Sequence, residues 1–214
     1  MLAGPVARPG LVLRRGGTPV YAVIGLVVLV VVLALLVVGI YNNLINLRNR
    51  VDNAWHQIDV QLRRRYDLIP NLVETVKGYA AHERETFERV TEARARCVAG
   101  GSVREQGQAE NVLTGALRQL FAVAENYPEL KANQNFLMLQ EELAGTEGKI
   151  AYSRQFYNDS VMNLNAAIQR FPNNLVAHQF GFQPRDYFEI EEAEARAPVR
   201  VSFAATDTPN QPRT

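Results

Sequence analysis

One stretch constrains this chain more than any other. From Val20 to Ile40 it reads VYAVIGLVVLVVVLALLVVGI, with no charged residue, and it continues as YNNLINLRNRVDNAWHQIDVQLRRRYDLI without a Pro or a Gly cluster to interrupt it. About 20 consecutive apolar residues match the hydrocarbon thickness of a bilayer. Beyond Ile40 apolar side chains recur at Leu44, Leu47, Val51, Ala54, Ile58 and Leu62, the three-and-four spacing of a helical stripe. The two segments read as one rod: a transmembrane helix over 20–40 that emerges as the first helix of a soluble bundle. A cleaved signal has an apolar core of only ~7–15 residues followed by small residues in an A-x-A pattern. VVGIYNNL offers no such site, so the run predicts an uncleaved anchor.

Arg8, Arg14 and Arg15 precede the span; Arg48 and Arg50 follow it closely. Under the positive-inside rule this difference leans toward an internal N-terminus and a bundle outside the cytoplasm, with Arg63 to Arg65 pulling the other way. The first 19 residues, with three Pro, four Gly and three Arg, read as a disordered tail. Over 214 residues the net charge is +1, which gives no field for nucleic acid. A single Cys, Cys97, excludes an internal disulfide and a Cys-based zinc site, and it reads as a small core residue.

Pro70 predicts the end of the first helix and the start of a second, since Pro disfavours helical geometry in the residue before it and suits a first turn. Gly100–Gly101 stops that second helix. Ser102 and Glu105 form an S-x-x-E capping box for a third, which fades at Pro128. A fourth runs to Phe171 with Phe136, Leu139, Leu143, Ile150, Tyr157, Val161, Leu164 and Ile168 on its stripe, a coiled-coil-like pattern over about five heptads. The expected helices are 41–67, 69–99, 103–125 and 131–171, an all-α antiparallel bundle. An extended arm over 172–203 follows, held on the bundle by Phe180, Phe182, Tyr187, Phe188 and Phe203, with alternation at Val199, Val201 and Phe203. A disordered tail, 204–214, closes the chain.

Trp55 reads as a packing residue at the edge of the core. Arg48, Arg50, Arg63, Arg64 and Arg65 form a basic outer face of the first helix, the candidate surface for lipid head groups or a partner. Carrying the three-four count through the gaps places Glu147 and Arg154 on the apolar stripe of the fourth helix. Either they form a polar layer, which Asn158 and Asn165 could join, or the stripe rolls and leaves them at its edge.

Catalytic motifs fail on inspection. AGTEGKI has two residues between its glycines and Ile150 after the Lys, so it is no phosphate loop; Gly145 and Gly148 read instead as points of close helix approach. HERET has Thr86 where a second metal ligand would stand. None of His56, His82 or His178 has a Glu three residues before it, as a bundle di-metal site requires. No G-x-S-x-G occurs. Glu85–Arg89 and Glu92–Arg96 read as i,i+4 pairs on solvated faces, and Asn158-Asp159-Ser160 as a chance sequon in mid-helix. The residues predict no cofactor and no metal.

YNNLINLRNRVDNAWHQIDVQLRRRYDLIPNLVETVKGYAAHE, LQEELAGTEGKIAYSRQFYNDSVMNLN and FPNNLVAHQFGF resemble the LemA family of bacterial membrane proteins, over nearly the whole length from Tyr41 to Phe203. In the family's LAGTEN pattern this chain has Gly148 where Asn is usual. The resemblance implies a single span with a long-helix bundle and no established enzymatic activity. Taken with the unbroken rod, the long apolar stripes and the absence of a catalytic constellation, it leads to a non-catalytic scaffold or adaptor of the bacterial envelope, with a membrane-linked sensor as the alternative and an enzyme as the third reading. The implied partners are the lipid bilayer, a second copy, or another membrane protein such as an HtpX-type protease, with no small-molecule substrate known for the family. Its relatives in magnetosome membranes point to envelope or organelle organisation.

Overall fold

The computed structural model describes residues 18–189. Those residues are helical and contain no strand: α1 Thr18–Lys77, α2 Arg84–Ala99, α3 Val103–Ala124, α4 Pro128–Lys131, α5 Gln134–Gln169 and α6 Asn173–Gln179. The all-α class and the long apolar N-terminal helix are as the sequence predicts. The expectations for 1–17, for Val199, Val201 and Phe203, and for 204–214 lie outside the described residues. α1 is the one described element long and apolar enough to cross a membrane, and its side chains from Val20 to Val38 are exposed.

The chain divides into two compact units, and α1 and α5 contribute to both. The first unit holds the residues up to Gln57 with Gln155–Arg185. Its core joins Leu44 of α1 to Ala167, Val176, Ala177 and Phe182. Trp55 packs at the edge, its ring centroid 5.4 Å from that of Tyr157. The expected extended arm begins instead as a helix. α6 has seven residues, too few for a helical period to show in the sequence, and only Val176 and Ala177 are buried. It ends in a Schellman motif: Phe182 N–H donates to Ala177 C=O at 2.9 Å, Gly181 N–H to His178 C=O at 3.3 Å, and Gly181 sits at φ 69°. The chain that follows is clamped by Asn165, whose Nδ2 donates to Arg185 C=O and whose Oδ1 accepts from Arg185 N–H, each at 2.9 Å. Asn165 thus holds the arm rather than joining a polar layer.

The second unit holds Ile58–Arg154 and the residues from Asp186 on. α2 and α3 form its hairpin. Gly100, at φ 72°, ends α2, and the predicted capping box opens α3: the Ser102 side chain accepts from Glu105 N–H, and the Glu105 carboxylate accepts from Ser102 N–H at 2.8 Å. The Ser102 N–H and the Ser102 hydroxyl both donate to the Glu105 carboxylate and hold it below its ordinary pKa. The ion pairs Glu85–Arg89 and Glu92–Arg96 form as expected. Gly107 is required by a close approach, since a Cβ there would stand 2.7 Å from Glu189 C=O. Gly145 and Gly148 differ from expectation. A Cβ at either would meet nothing within 4 Å, so no helix approaches them closely.

The largest departure is at Pro70, where α1 does not end. A Pro inside a helix removes the N–H that would bond four residues back. Here the orphaned acceptor is Tyr66 C=O, and Arg94 Nε of α2 donates to it at 2.7 Å. That side-chain bond offsets the missing main-chain one and lets α1 run on to Lys77. The real break falls at Gly78–Glu83. Arg94→Ala should therefore cost ~1.5–3 kcal/mol, the range for a hydrogen bond from a charged donor. In a Pro70→Ala background, which restores the missing N–H, less than half of that cost should remain, as read by denaturant unfolding of the four variants.

Candidate functional site

Three consecutive arginines cannot share a helix face, because each residue turns ~100°. Arg65 lies three residues after Leu62 and four before Ile69, and so falls on the buried stripe of α1. It is 1 % exposed. The structure thus corrects the expected basic face at this residue. Arg63 pairs with Asp59 at 3.0 Å and Arg64 with Glu142 at 2.7 Å, both in the open. In the first unit Arg48 lies over the Phe182 ring, 5.6 Å from its centroid, and Arg50 over Phe156 at 5.3 Å.

Around Arg65 the second unit builds a polar cluster inside its core. Arg65 Nη1 donates to Glu110 Oε2 at 2.8 Å and Nη2 to Thr114 Oγ1 at 2.9 Å. Its Nε stands 2.8 Å from Glu147 Oε1, a contact that is electrostatic because the N–H is not aligned for a hydrogen bond. Glu110 is fully buried. Tyr66 Oη donates to Glu110 Oε1, and Gln106 Nε2 reaches Tyr66 Oη at 2.7 Å, Glu110 Oε1 at 3.2 Å and Cys97 C=O at 3.2 Å. Glu110, Tyr66, Gln106 and Thr114 went unpredicted. The signal was there in part: Gln106 is seven residues before Leu113, and Glu110 is seven before Leu117, so both continue the apolar stripe of α3.

The α5 stripe runs through Leu143, Thr146, Ile150, Ser153, Tyr157 and Ser160, with small hydroxyls where an unbroken apolar row would stand. Thr146 and Ser160 turn their hydroxyls back to the carbonyls of Glu142 and Phe156. Glu147 and Arg154 are half-buried at the edge of this row. Of the other three residues considered for a polar layer, Glu147 meets Arg65, while Arg154 belongs to the second unit and Asn158 to the first. Beside Arg65 and Glu147 opens a groove of about 510 Å³ with Leu117, Phe121, Leu143 and Ala144 on its walls.

This environment disfavours the anionic forms of Tyr66, Cys97 and Glu147. Burial, reinforced by the Glu110 charge, pushes the Tyr66 phenol far above its ordinary value and the Cys97 thiol up to about 12. Burial also raises the Glu147 carboxyl, against the pull of Arg65. Neither the thiol nor the phenol is an anion at neutral pH, so neither is poised as a nucleophile. Among the described residues no group of three or more His, Cys, Asp or Glu is placed to hold a metal ion.

Two outcomes follow. Arg63→Ala, which removes an exposed pair, should change stability by less than ~1 kcal/mol, whereas Arg65→Ala strands the buried Glu110 carboxylate and should cost ~3–5 kcal/mol in denaturant unfolding. The folded state holds the Cys97 proton more tightly than the unfolded chain does. Its contribution is complete below the ordinary thiol value of 9.0 and is lost as pH rises from there to about 12. The unfolding midpoint should fall across that window, and Cys97→Ala should flatten the fall.

The sequence profile of the LemA family matches residues 54–203. The chain is 26% identical over 208 residues to magnetosome protein MamQ 2 of Paramagnetospirillum magneticum, covering 84% of this chain and 76% of that protein. It is 28% identical over 161 residues to protein LemA of Metamycoplasma hominis, covering 73% and 72%. It is 26% identical over 179 residues to magnetosome protein MamQ of Magnetospirillum gryphiswaldense, covering 72% and 66%. None of these relatives is named for a catalysed reaction. The chain belongs to the LemA family.

Proposed function

We propose that this protein is a single-pass, membrane-anchored helical scaffold or adaptor without catalytic activity. One observation carries the reading: α1 is at once the apolar candidate span and the helix whose stripe is buried in both units, from Leu44 to Val76, with no break between. A rod of this kind ties whatever binds the helices to the bilayer. The protonated state of Tyr66 and Cys97 and the bonds that hold Arg65 to Glu110 and Thr114 favour a structural role over a reactive one. The partner is a second copy or another membrane protein, with an HtpX-type protease as the named case. The setting is envelope or organelle membrane organisation, in keeping with the magnetosome relatives, and the bundle lies outside the cytoplasm. Crosslinking of the full chain in native membranes should give discrete adducts, either homodimers or a single heterologous species. A chain that stays monomeric and unlinked through every exposed face contradicts the reading.

A sensor is the second reading, favoured by Glu147: its carboxyl is raised in pKa and stands beside both the buried Arg65 and the groove. Protonation of such a group changes the charge balance of the core and biases helix packing. A Gly-rich insert after Tyr41 separates the two. Adduct formation should survive the insert under the scaffold reading, and any membrane-dependent signalling output should be lost under the sensor reading.

A further inference from the structure

The apolar run ends at Ile40, and the first unit places α6 beside the turn of α1 that follows. Ile40, Tyr41, Ile45 and Leu47 pack on the cluster formed by Leu44, Ala167, Val176, Ala177 and Phe182. The Tyr41 ring centroid lies 4.9 Å from that of Phe180 and 5.9 Å from that of Phe182. The corner from the end of α5 through α6 therefore stands next to the residues that leave the span.

The inner side of α6 is buried, and the open part of this corner carries three large apolar side chains among the polar Asn174, His178 and Gln179. Phe171 is 79%, Leu175 63% and Phe180 54% exposed. Large exposed apolar side chains gathered in one place mark a contact surface. Arg170 precedes them and is exposed. Aromatic and aliphatic side chains beside a cation are the composition of a membrane interface, where rings sit at headgroup level and a short apolar face lies in the boundary layer.

We propose that this corner is a second membrane contact, with Phe171, Leu175 and Phe180 seated in the headgroup–acyl boundary of the bilayer that α1 crosses and Arg170 facing anionic headgroups. The inference rests on the reading of α1 as a span. Continuity with that span identifies the occupant as lipid. A helix leaving a ~30 Å hydrocarbon core at Ile40 puts Tyr41 in the headgroup layer, and the Phe180 ring touches Tyr41. Two-point attachment fixes the rotation and tilt of α1 in the membrane, which one helix alone leaves free.

The test uses the full chain with Trp55→Phe, reconstituted in vesicles of phosphatidylcholine and phosphatidylglycerol. Single tryptophans replace Phe171, Leu175, Met162 and Leu33 in turn; all four positions are exposed, so the core is untouched. Lipids brominated near the headgroup end of the acyl chain should quench Phe171→Trp and Leu175→Trp by roughly half, as expected for a side chain in the boundary layer. Met162→Trp, nine residues back along α5 from Phe171, should stay unquenched. Leu33→Trp should be quenched by lipids brominated near the chain end. Quenching at Leu33→Trp without quenching at Phe171→Trp and Leu175→Trp overturns the second contact alone. So does a blue shift at these two positions that grows with protein density without lipid quenching, which assigns the corner to contact between copies. No quenching at Leu33→Trp overturns the anchor itself.

Discussion

The second unit depends on one buried cation. The Arg65 guanidinium, on α1, is bonded to Glu110 and Thr114 of α3 and stands against Glu147 of α5. One residue on, Tyr66 bonds Glu110 through its hydroxyl and accepts Arg94 of α2 at its carbonyl. Two consecutive residues of α1 thus receive a polar contact from each of the other long helices of this unit. Such a cluster is costly to desolvate, and its net contribution to stability is small or negative relative to a well-packed apolar one. Its consequence is register. Sliding α3 by one residue moves Glu110 by 1.5 Å and turns it by ~100°, which strands two buried charges. The apolar stripes tolerate many alignments, whereas the cluster tolerates one.

Much of this architecture is legible in the sequence because it rests on local chemistry. The span shows as an uncharged run, the α3 start as Ser102 and Glu105, the α2 stop as Gly100, and the surface pairs as Glu and Arg four residues apart. What stayed hidden depends on partners distant in the chain. Pro70 reads as a helix end until Arg94, on another helix, is seen to supply the missing donor. Arg65 reads as one of three surface arginines until Glu110 is found opposite it. Three adjacent basic residues look like a patch in a string of letters, but on a helix they point in three directions. The stripe that ended at Leu62 could have been carried through Arg65 to Ile69, and a charge on an apolar stripe is itself a sign of a buried pair. α6 was missed for a different reason: seven residues give too little periodicity, and the Gly181 turn that ends it becomes informative only with the bonds around it.

The two units place different chemistry along the same helix. In the first, α1 carries apolar side chains up to Ile40 and then aromatic contacts to Phe180 and Phe182. In the second, it carries a cation locked between carboxylates whose neighbours, Tyr66 and Cys97, stay protonated. An unbroken helix with an apolar end and a buried cation is compatible with the proposed role of holding position at a membrane.

The claim that Arg65 and Glu110 act as one unit inside the core is tested most directly by a double-mutant cycle. Arg65→Met, Glu110→Leu and the double replacement would be compared in denaturant unfolding of the full chain. Each single change removes the direct partner of a buried charge, leaving Arg65 with Thr114 and Glu147 or Glu110 with Tyr66 and Gln106, so each should cost ~3–5 kcal/mol, and the double should recover much of the sum, a coupling of several kcal/mol. Additive losses with no coupling would contradict the account and place the two charges in water.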